Sequence, residues 1–440
     1  MSDELYPHPT SDRDNARLFN QLVRPTLTGT PRENPSVLFI GGPPGSGKTT
    51  VQNTLLARLG RPDAFPLDGD DLITQHPRYE QFHRDNDFTG AFVAAEDLKG
   101  RWWSRSARLL RIQRLDIAVS APLAGPDWAI DRFTDFRRAG YPIGVAFVAT
   151  HEALSLQGIV DRYHRDRQNE QIGYGRWIPP QWHDAAYLGV LDTADRIDAL
   201  RAADTIYVAR RDGTILHTNQ LDPNGDWTLG MATRQVVEAD RARPWSTAES
   251  AHFLQKQGQL RQELSAEWTP LLDSIDRRAI PVISPLVVHD DTQLAARRTE
   301  TVGLLQQAER EAEAVKARSK ELGEAHRSGA NMARLEELRA AGTPVGELRQ
   351  TRDAVHQERW NTNITAFGLG RRVAGANQLL EAIGQEQQRR TGLDAKQSGR
   401  EARARQQMQA LAAQPATPAP PRAEGPRLGG PEQRGSQRGW

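Results

Sequence analysis

An α/β fold built on a phosphate-loop type of parallel sheet is what this sequence predicts, and three observations carry the prediction. The first is alternation. Short apolar runs at 36–41 (SVLFIG), 64–67, 115–119, 143–149 and 205–209 are separated by helical patterns at 49–59, 91–113, 127–139, 151–167 and 191–202. Buried strands alternating with helices imply a parallel sheet covered on both faces. The second is position: the first run ends in glycines and passes directly into a helical pattern, as a buried parallel strand feeding a tight turn does. The third is the stretch TIYVARRDGTILHTNQ, whose Asp-Gly pair sits between two strand-like halves. It reads as a hairpin that closes the sheet near residue 220.

The remaining elements follow in order. Residues 1–34 form a polar extension with one short helical pattern at Ala16–Leu22. The α/β domain is expected over 35–222. A second, mostly helical region is expected over 245–390, interrupted by the apolar stretch Val282–His289 and containing a long charged helix at 292–341. Its alternating signs describe a solvated face. From 391 to 440, Pro, Gly, Gln and Arg dominate, and a disordered tail is expected because such a segment buries too little to offset its ordering entropy.

Composition excludes several classes. With 440 residues, two or three folding units are expected. The 57 basic and 56 acidic side chains leave a net charge of +1, which does not mark a specific nucleic-acid binder. There is no cysteine, so thiolate metal sites, disulfides and a cysteine nucleophile are ruled out. No apolar run approaches the ~18 residues a membrane span needs, and the polar N-terminus lacks a signal-peptide core, so a cytoplasmic location is expected.

The chemistry concentrates in three segments. Gly42-Pro43-Pro44-Gly45-Ser46-Gly47-Lys48-Thr49 fits the phosphate-binding loop pattern, with a strand before it and a helix after it. Glycines let backbone N–H groups curl around a phosphate, and the following helix aims its positive end at the anion. Only 6 of the basic residues are lysines, and Lys48 stands where the β- and γ-phosphates of ATP would lie. The Thr49 hydroxyl is placed to ligate Mg²⁺, and Thr50 completes the nucleotide-contacting stretch. The second segment, Leu67-Asp68-Gly69-Asp70-Asp71, puts three carboxylates at a strand end, where open α/β sheets bind ligands. One of them can accept the proton of an attacking hydroxyl. Asp68 can assist Mg²⁺ through water, and Asp71 can cap the next helix. The third contains Arg162 and Arg176, which can neutralise the charge that spreads over a transferring phosphoryl group. Asp87, Glu96 and Asp97 add further carboxylates near the segment Gly100-Arg101-Trp102-Trp103-Ser104-Arg105, in which Trp102 and Trp103 either stack on a base or sugar or pack a helix on the core.

In this order, GGPPGSGKTT, LDGDDLITQHPRY, VDRYH and GRWIPPQWH resemble the zeta toxin family over residues 15–220. His76-Pro77 and His183 fall at the family's spacing, and RRDGTILH resembles its closing hairpin. The resemblance implies a kinase acting on a sugar hydroxyl of UDP-N-acetylglucosamine, with Asp70 as general base, Lys48 as the loop lysine, and Arg162 and Arg176 as the nucleotide and γ-phosphate arginines. Its cofactors are ATP and Mg²⁺, its small-molecule partner a nucleotide sugar, and its protein partner, bound to the helical half, an antitoxin or similar chain. The segment Val119-Ser120-Ala121-Pro122-Leu123 departs from the family pattern on the acceptor side. Another nucleotide or small hydroxyl acceptor, or a nucleotide switch with the helical half as effector arm, fits the same loop.

Overall fold

The computed structural model describes residues 10–98, 100–169, 172–327 and 330–414. The chain opens with α1 (Asp12–Leu18), capped by Ser11, whose Oγ accepts from the Asp14 N–H. Then come β1 (Val37–Gly41), α2 (Lys48–Arg58), β2 (Phe65–Asp68), α3 (Gly69–Thr74), α4 (Tyr79–Asp85), α5 (Gly90–Leu98) and α6 (Arg101–Ile112). The helical pattern expected over 91–113 is thus two helices, broken where Gly100 turns left-handed at φ 64°. The chain continues through β3 (Ile117–Ala121), α7 (Pro126–Arg138), β4 (Ile143–Val148), α8 (Glu152–Gln168), α9 (Pro180–Leu200), β5 (Thr205–Ala209) and β6 (Ile215–Gln220). α10 (Thr233–Ala242), α11 (Thr247–Glu263), α12 (Thr269–Ala279), α13 (Pro285–Val288), α14 (Asp291–Arg327), α15 (Ala330–Ala340), α16 (Val345–Thr391) and α17 (Ala395–Ala412) complete it.

The six strands run in the order β2-β3-β1-β4-β5-β6. Five are parallel, and β6 pairs antiparallel with β5, which makes the expected hairpin. β1 is central, and every residue of it is buried, as its unbroken apolar run predicts. The chain winds from β1 out through β2 and β3, then crosses to β4 and β5 on the other side. The carboxyl ends of β1, β2 and β3 therefore lie along one rim of the sheet. On one face Phe39 meets Phe133 and Phe136 of α7 at ring-centre distances of 4.6 and 5.5 Å. The other face is covered by Val51, Leu55 and Leu56 of α2.

Two compact units emerge. The first holds residues 10–244, 259–282 and 410–414, so α10 and α12 join the sheet-bearing unit although they follow the hairpin. The second holds 245–258 and 283–409. In it α14 and α16 pair along their length, linked by ion pairs Arg318–Glu358 at 2.6 Å and Arg372–Glu311 at 3.0 Å. Its apolar core is small, centred on Leu286, Leu294 and Ile383. A buried ionic cluster supplements it: Arg389 bridges the fully buried carboxylates of Glu386 and Glu401 at 2.8 and 2.7 Å.

The expectation of disorder from residue 391 is corrected by α17. Its Glu401 binds Arg389, and Ala404 and Met408, four residues apart on one face, are buried. The proline signal for disorder belongs wholly to residues from 415 onward, which lie outside the described residues. No described helix is long and apolar enough to cross a membrane.

Because Phe133 is fully buried against Phe39, Phe133→Ala should destabilise the sheet-bearing unit by about 3–5 kcal/mol, read by denaturant unfolding of the full chain.

Candidate active site

The loop between β1 and α2 has the shape its glycines allow. Gly45 and Gly47 take left-handed φ values of 76° and 94°. A Cβ on Gly45 would lie 2.1 Å from the Ser155 carbonyl oxygen, and one on Gly158 would lie 2.8 Å from the Gly45 carbonyl oxygen. The loop thus sits directly on α8, with glycine on both sides of the contact. The Thr150 hydroxyl donates to the Ser46 carbonyl at 2.9 Å and pins the loop from β4's end. Gly42, Pro43, Pro44, Gly45, Ser46 and Gly47 form the turn, while Lys48, Thr49 and Thr50 make the first turn of α2, the two threonines exposed.

Lys48 folds back over the loop. Its Nζ donates to the carbonyls of Gly42 and Pro43 at 3.1 and 3.3 Å. Burial lowers its pKa from 10.5 to about 8, against the opposing pull of Asp68 and Asp70. Across the rim, β2 ends at Asp68. Asp68, not Asp71, caps α3: its carboxylate accepts the Asp70 N–H at 2.9 Å. Burial and the neighbouring Asp70 charge push Asp68 up from 3.8 to about 6.

The two predicted arginines arrive from α8 and from the loop after it. Arg176 Nη1 pairs with Asp70 Oδ2 at 2.7 Å. Arg162 Nε and Nη2, Arg176 Nε and Ser46 Oγ are buried with no hydrogen-bond partner among the described residues. Burial and the nearby Arg176 charge hold Arg162 down to about 10. Buried guanidinium nitrogens without acceptors are costly. Beside a glycine cradle and a depressed lysine, they fit a polyanion such as a triphosphate. Among the described residues, no group of three or more His, Asp or Glu side chains forms a metal cage. The three crowded carboxylates and the exposed Thr49 hydroxyl suit a cation shared with phosphate oxygens and water instead.

Other expected residues take structural posts. Asp97 is buried, receives the Thr10 N–H at 2.7 Å, and meets His76 Nε2 at 2.9 Å. Asp87 accepts from the Tyr163 hydroxyl at 2.8 Å and from the Gly175 N–H at 3.1 Å, which ties the Arg176 loop to α8. Glu96 is exposed, away from these bonds. Trp102 is buried, its Nε1 donating to the Asn15 carbonyl at 3.2 Å, so it packs α6 on the core. Trp103 is half-buried beside Trp128 at 5.6 Å, with Gly69 next to it. His183 is buried between Ser155 Oγ at 2.7 Å and Asp184 at 2.9 Å, joining α9 to α8.

Sequence reasoning missed Tyr79. It is buried in the same field, and burial pushes its pKa up to about 12 despite the pull of Arg176. Its only sequence signal was its place at the end of the segment LDGDDLITQHPRY.

The lysine and carboxylate shifts have opposite consequences for stability. Lys48 binds its proton more weakly folded than unfolded, so its contribution to stability rises with pH between about 8 and 10.5. Asp68 binds its proton more tightly when folded, so its contribution falls as pH rises from 3.8 to about 6. At neutral pH both charged groups weigh against the fold until an anion or cation joins them. Tripolyphosphate binding at pH 8.5 should therefore take up a proton. Calorimetry in buffers of different ionisation enthalpy should show this uptake, and Lys48→Met should remove it.

The zeta toxin family model matches residues 23–222. Toxin zeta of Enterococcus hirae is 20% identical over 253 residues, covering 56% of this chain and 83% of its own length. A solved chain from the PezAT chromosomal toxin–antitoxin system of Streptococcus pneumoniae is 18% identical, covering 59% of this chain and 98% of that one, with a TM-score of 0.46. A chain of the AvrRxo1-ORF1:-ORF2 complex is 15% identical, covering 59% and 87%, with a TM-score of 0.40. The segment that carries the glycine cradle, the acidic strand end and the two arginines is thus the part of the chain, residues 23–222, that matches the zeta toxin family model.

Proposed function

We propose that this chain is an ATP-dependent kinase that transfers the γ-phosphoryl group to a sugar hydroxyl of UDP-N-acetylglucosamine. The observation that carries the reading is the meeting of Asp70 with Arg176 at 2.7 Å, opposite Lys48 and the unpartnered nitrogens of Arg162. An acid that binds protons and cations that bind phosphoryl oxygens stand side by side, as in-line transfer to a hydroxyl requires.

In this reading the loop N–H groups and Lys48 hold the β- and γ-phosphates. Arg162 and Arg176 spread over the transferring group, where negative charge grows. Asp70 leaves its ion pair to accept the acceptor hydroxyl's proton. Thr49 and, through water, Asp68 would hold Mg²⁺, which would supply charge neutralisation to the phosphate. The α14–α16 unit takes a protein partner such as an antitoxin; Trp360, Ile364 and Phe367 recur on one face of α16 and are exposed.

A second acceptor is favoured by one feature of the rim. Asp68 pairs in register with Ser120, and beside the following Gly69 stands Trp103, which itself meets Trp128 at 5.6 Å. Aromatic walls suit a nucleobase, so a different nucleotide-linked hydroxyl is the alternative.

Two measurements test the reading. Lys48→Ala should abolish turnover, and Asp70→Asn should keep ATP binding while lowering kcat by roughly 100-fold or more; near wild-type rates in either variant refute the site assignment. Mass spectrometry of ATP reactions with a panel of nucleotide sugars and dinucleotides identifies the acceptor. A phosphorylated product, heavier by roughly 80 Da for one phosphoryl group, is expected on UDP-N-acetylglucosamine. Its appearance only on another acceptor keeps the kinase and replaces the substrate.

A further inference from the structure

Both predicted arginines are flanked by rings. Tyr163 follows Arg162, and Trp177 follows Arg176. The two rings meet edge to face at 5.4 Å. A Cβ on Gly175 would strike the Tyr163 carbonyl oxygen at 2.3 Å, so this loop lies flat on α8. A third ring completes the stack. Trp268 packs against Tyr163 at 5.4 Å and against Trp177 at 5.1 Å, edge-on at 86°. Trp268 lies 46 residues beyond the last position of the matched family segment, 222.

The same short stretch grips the other end of the arginine loop. α12 packs along α8, and its Arg278 donates to Glu152 at 2.6 Å and to both Asp184 oxygens at 2.7 and 2.8 Å. Glu152 opens α8, and Asp184 lies in the first turns of α9. His164, two residues past Arg162 on α8, meets Glu263 at 3.2 Å. The α8–loop–α9 hairpin that presents Arg162 and Arg176 is thus fastened by residues 263, 268 and 278. All of these contacts lie within the sheet-bearing unit.

We propose that Trp268 and Arg278 are positioning residues that set Arg162 and Arg176 toward the phosphate loop, so that the catalytic unit includes residues 259–282 and does not stop at the closing hairpin. The inference rests on the reading of these arginines as phosphate-binding groups. The physical case is that Arg162 and Arg176 carry buried, unpartnered nitrogens and mutually repelling charges. A hairpin that holds two repelling cations needs restraint from outside itself, and the aromatic stack and the bidentate Arg278–Asp184 pair supply it.

The test uses the full chain with Trp268→Leu, which fills the space without a ring, and Trp268→Phe, which keeps one. Tripolyphosphate affinity by calorimetry reads the arginines without turnover, and kcat with ATP reads them during transfer. Trp268→Leu should weaken tripolyphosphate binding several-fold and lower kcat by about 10- to 100-fold, and Trp268→Phe should restore most of both. In an Arg176→Ala background, Trp268→Leu should cost little more, since both act through one group. Unchanged affinity and kcat with a lowered Tm, or losses that add fully with Arg176→Ala, overturn the proposal. If the wild-type chain shows no transfer to any acceptor while Trp268→Leu still weakens tripolyphosphate binding, positioning stands and the kinase reading falls.

Discussion

The contact between the glycine loop and α8 is the constraint from which the site follows. Gly45 faces the Ser155 carbonyl at a distance that no side chain permits, and Gly158 answers from the helix. That approach sets the spacing between Lys48, which opens α2 directly after the loop, and Arg162, which grows from α8. The hydroxyl of Thr150 and the buried His183–Ser155 pair lock the same junction from either side. Backbone packing thus determines electrostatic geometry, and it brings together cations whose buried nitrogens have no partner among the described residues.

Most of the fold was legible because buried parallel strands leave an unambiguous trace. SVLFIG followed by glycines and a helix specifies a central strand and its turn, and the Asp-Gly of the last hairpin specifies β6. That Lys48, Asp68, Asp70, Arg162 and Arg176 share one neighbourhood is a finding of the fold, whereas the glycine loop itself was legible because its residues are consecutive. The acceptor side was not. Asp87 and Asp97 looked available in one dimension and prove to be bound to Tyr163, Gly175, His76 and Thr10 in three. Tyr79 and Arg278 carry no local signal, because their roles depend on neighbours distant in the chain. α17 was hidden by the prolines that follow it, and its burial rests on an ionic cluster that periodicity does not register.

Charge carries an unusual share of the order in the second unit. Glu386 and Glu401, fully buried, are each held by arginine, and the long helices α14 and α16 are laced by ion pairs over a small apolar core. Pairs at the exposed α14–α16 seam contribute little individually and are screened by salt. The buried Arg389 bridge is different in kind: removing one partner leaves a carboxylate stranded. The sheet-bearing unit and this one therefore respond to different perturbations, the first to cavities and the second to ionic strength and charge reversal.

One edge of the sheet has a bearing on company. β2 is the outermost parallel strand, four residues long, and the second of them is the exposed Pro66. A proline has no N–H to offer, and so short a strand leaves almost no ladder for a visitor to extend. Strand addition, the cheapest way for one chain to recruit another, is closed at that border. Neighbours that engage this face of the protein must recognise side chains rather than main chain, which makes such associations sensitive to sequence and poor seeds for fibrillar growth.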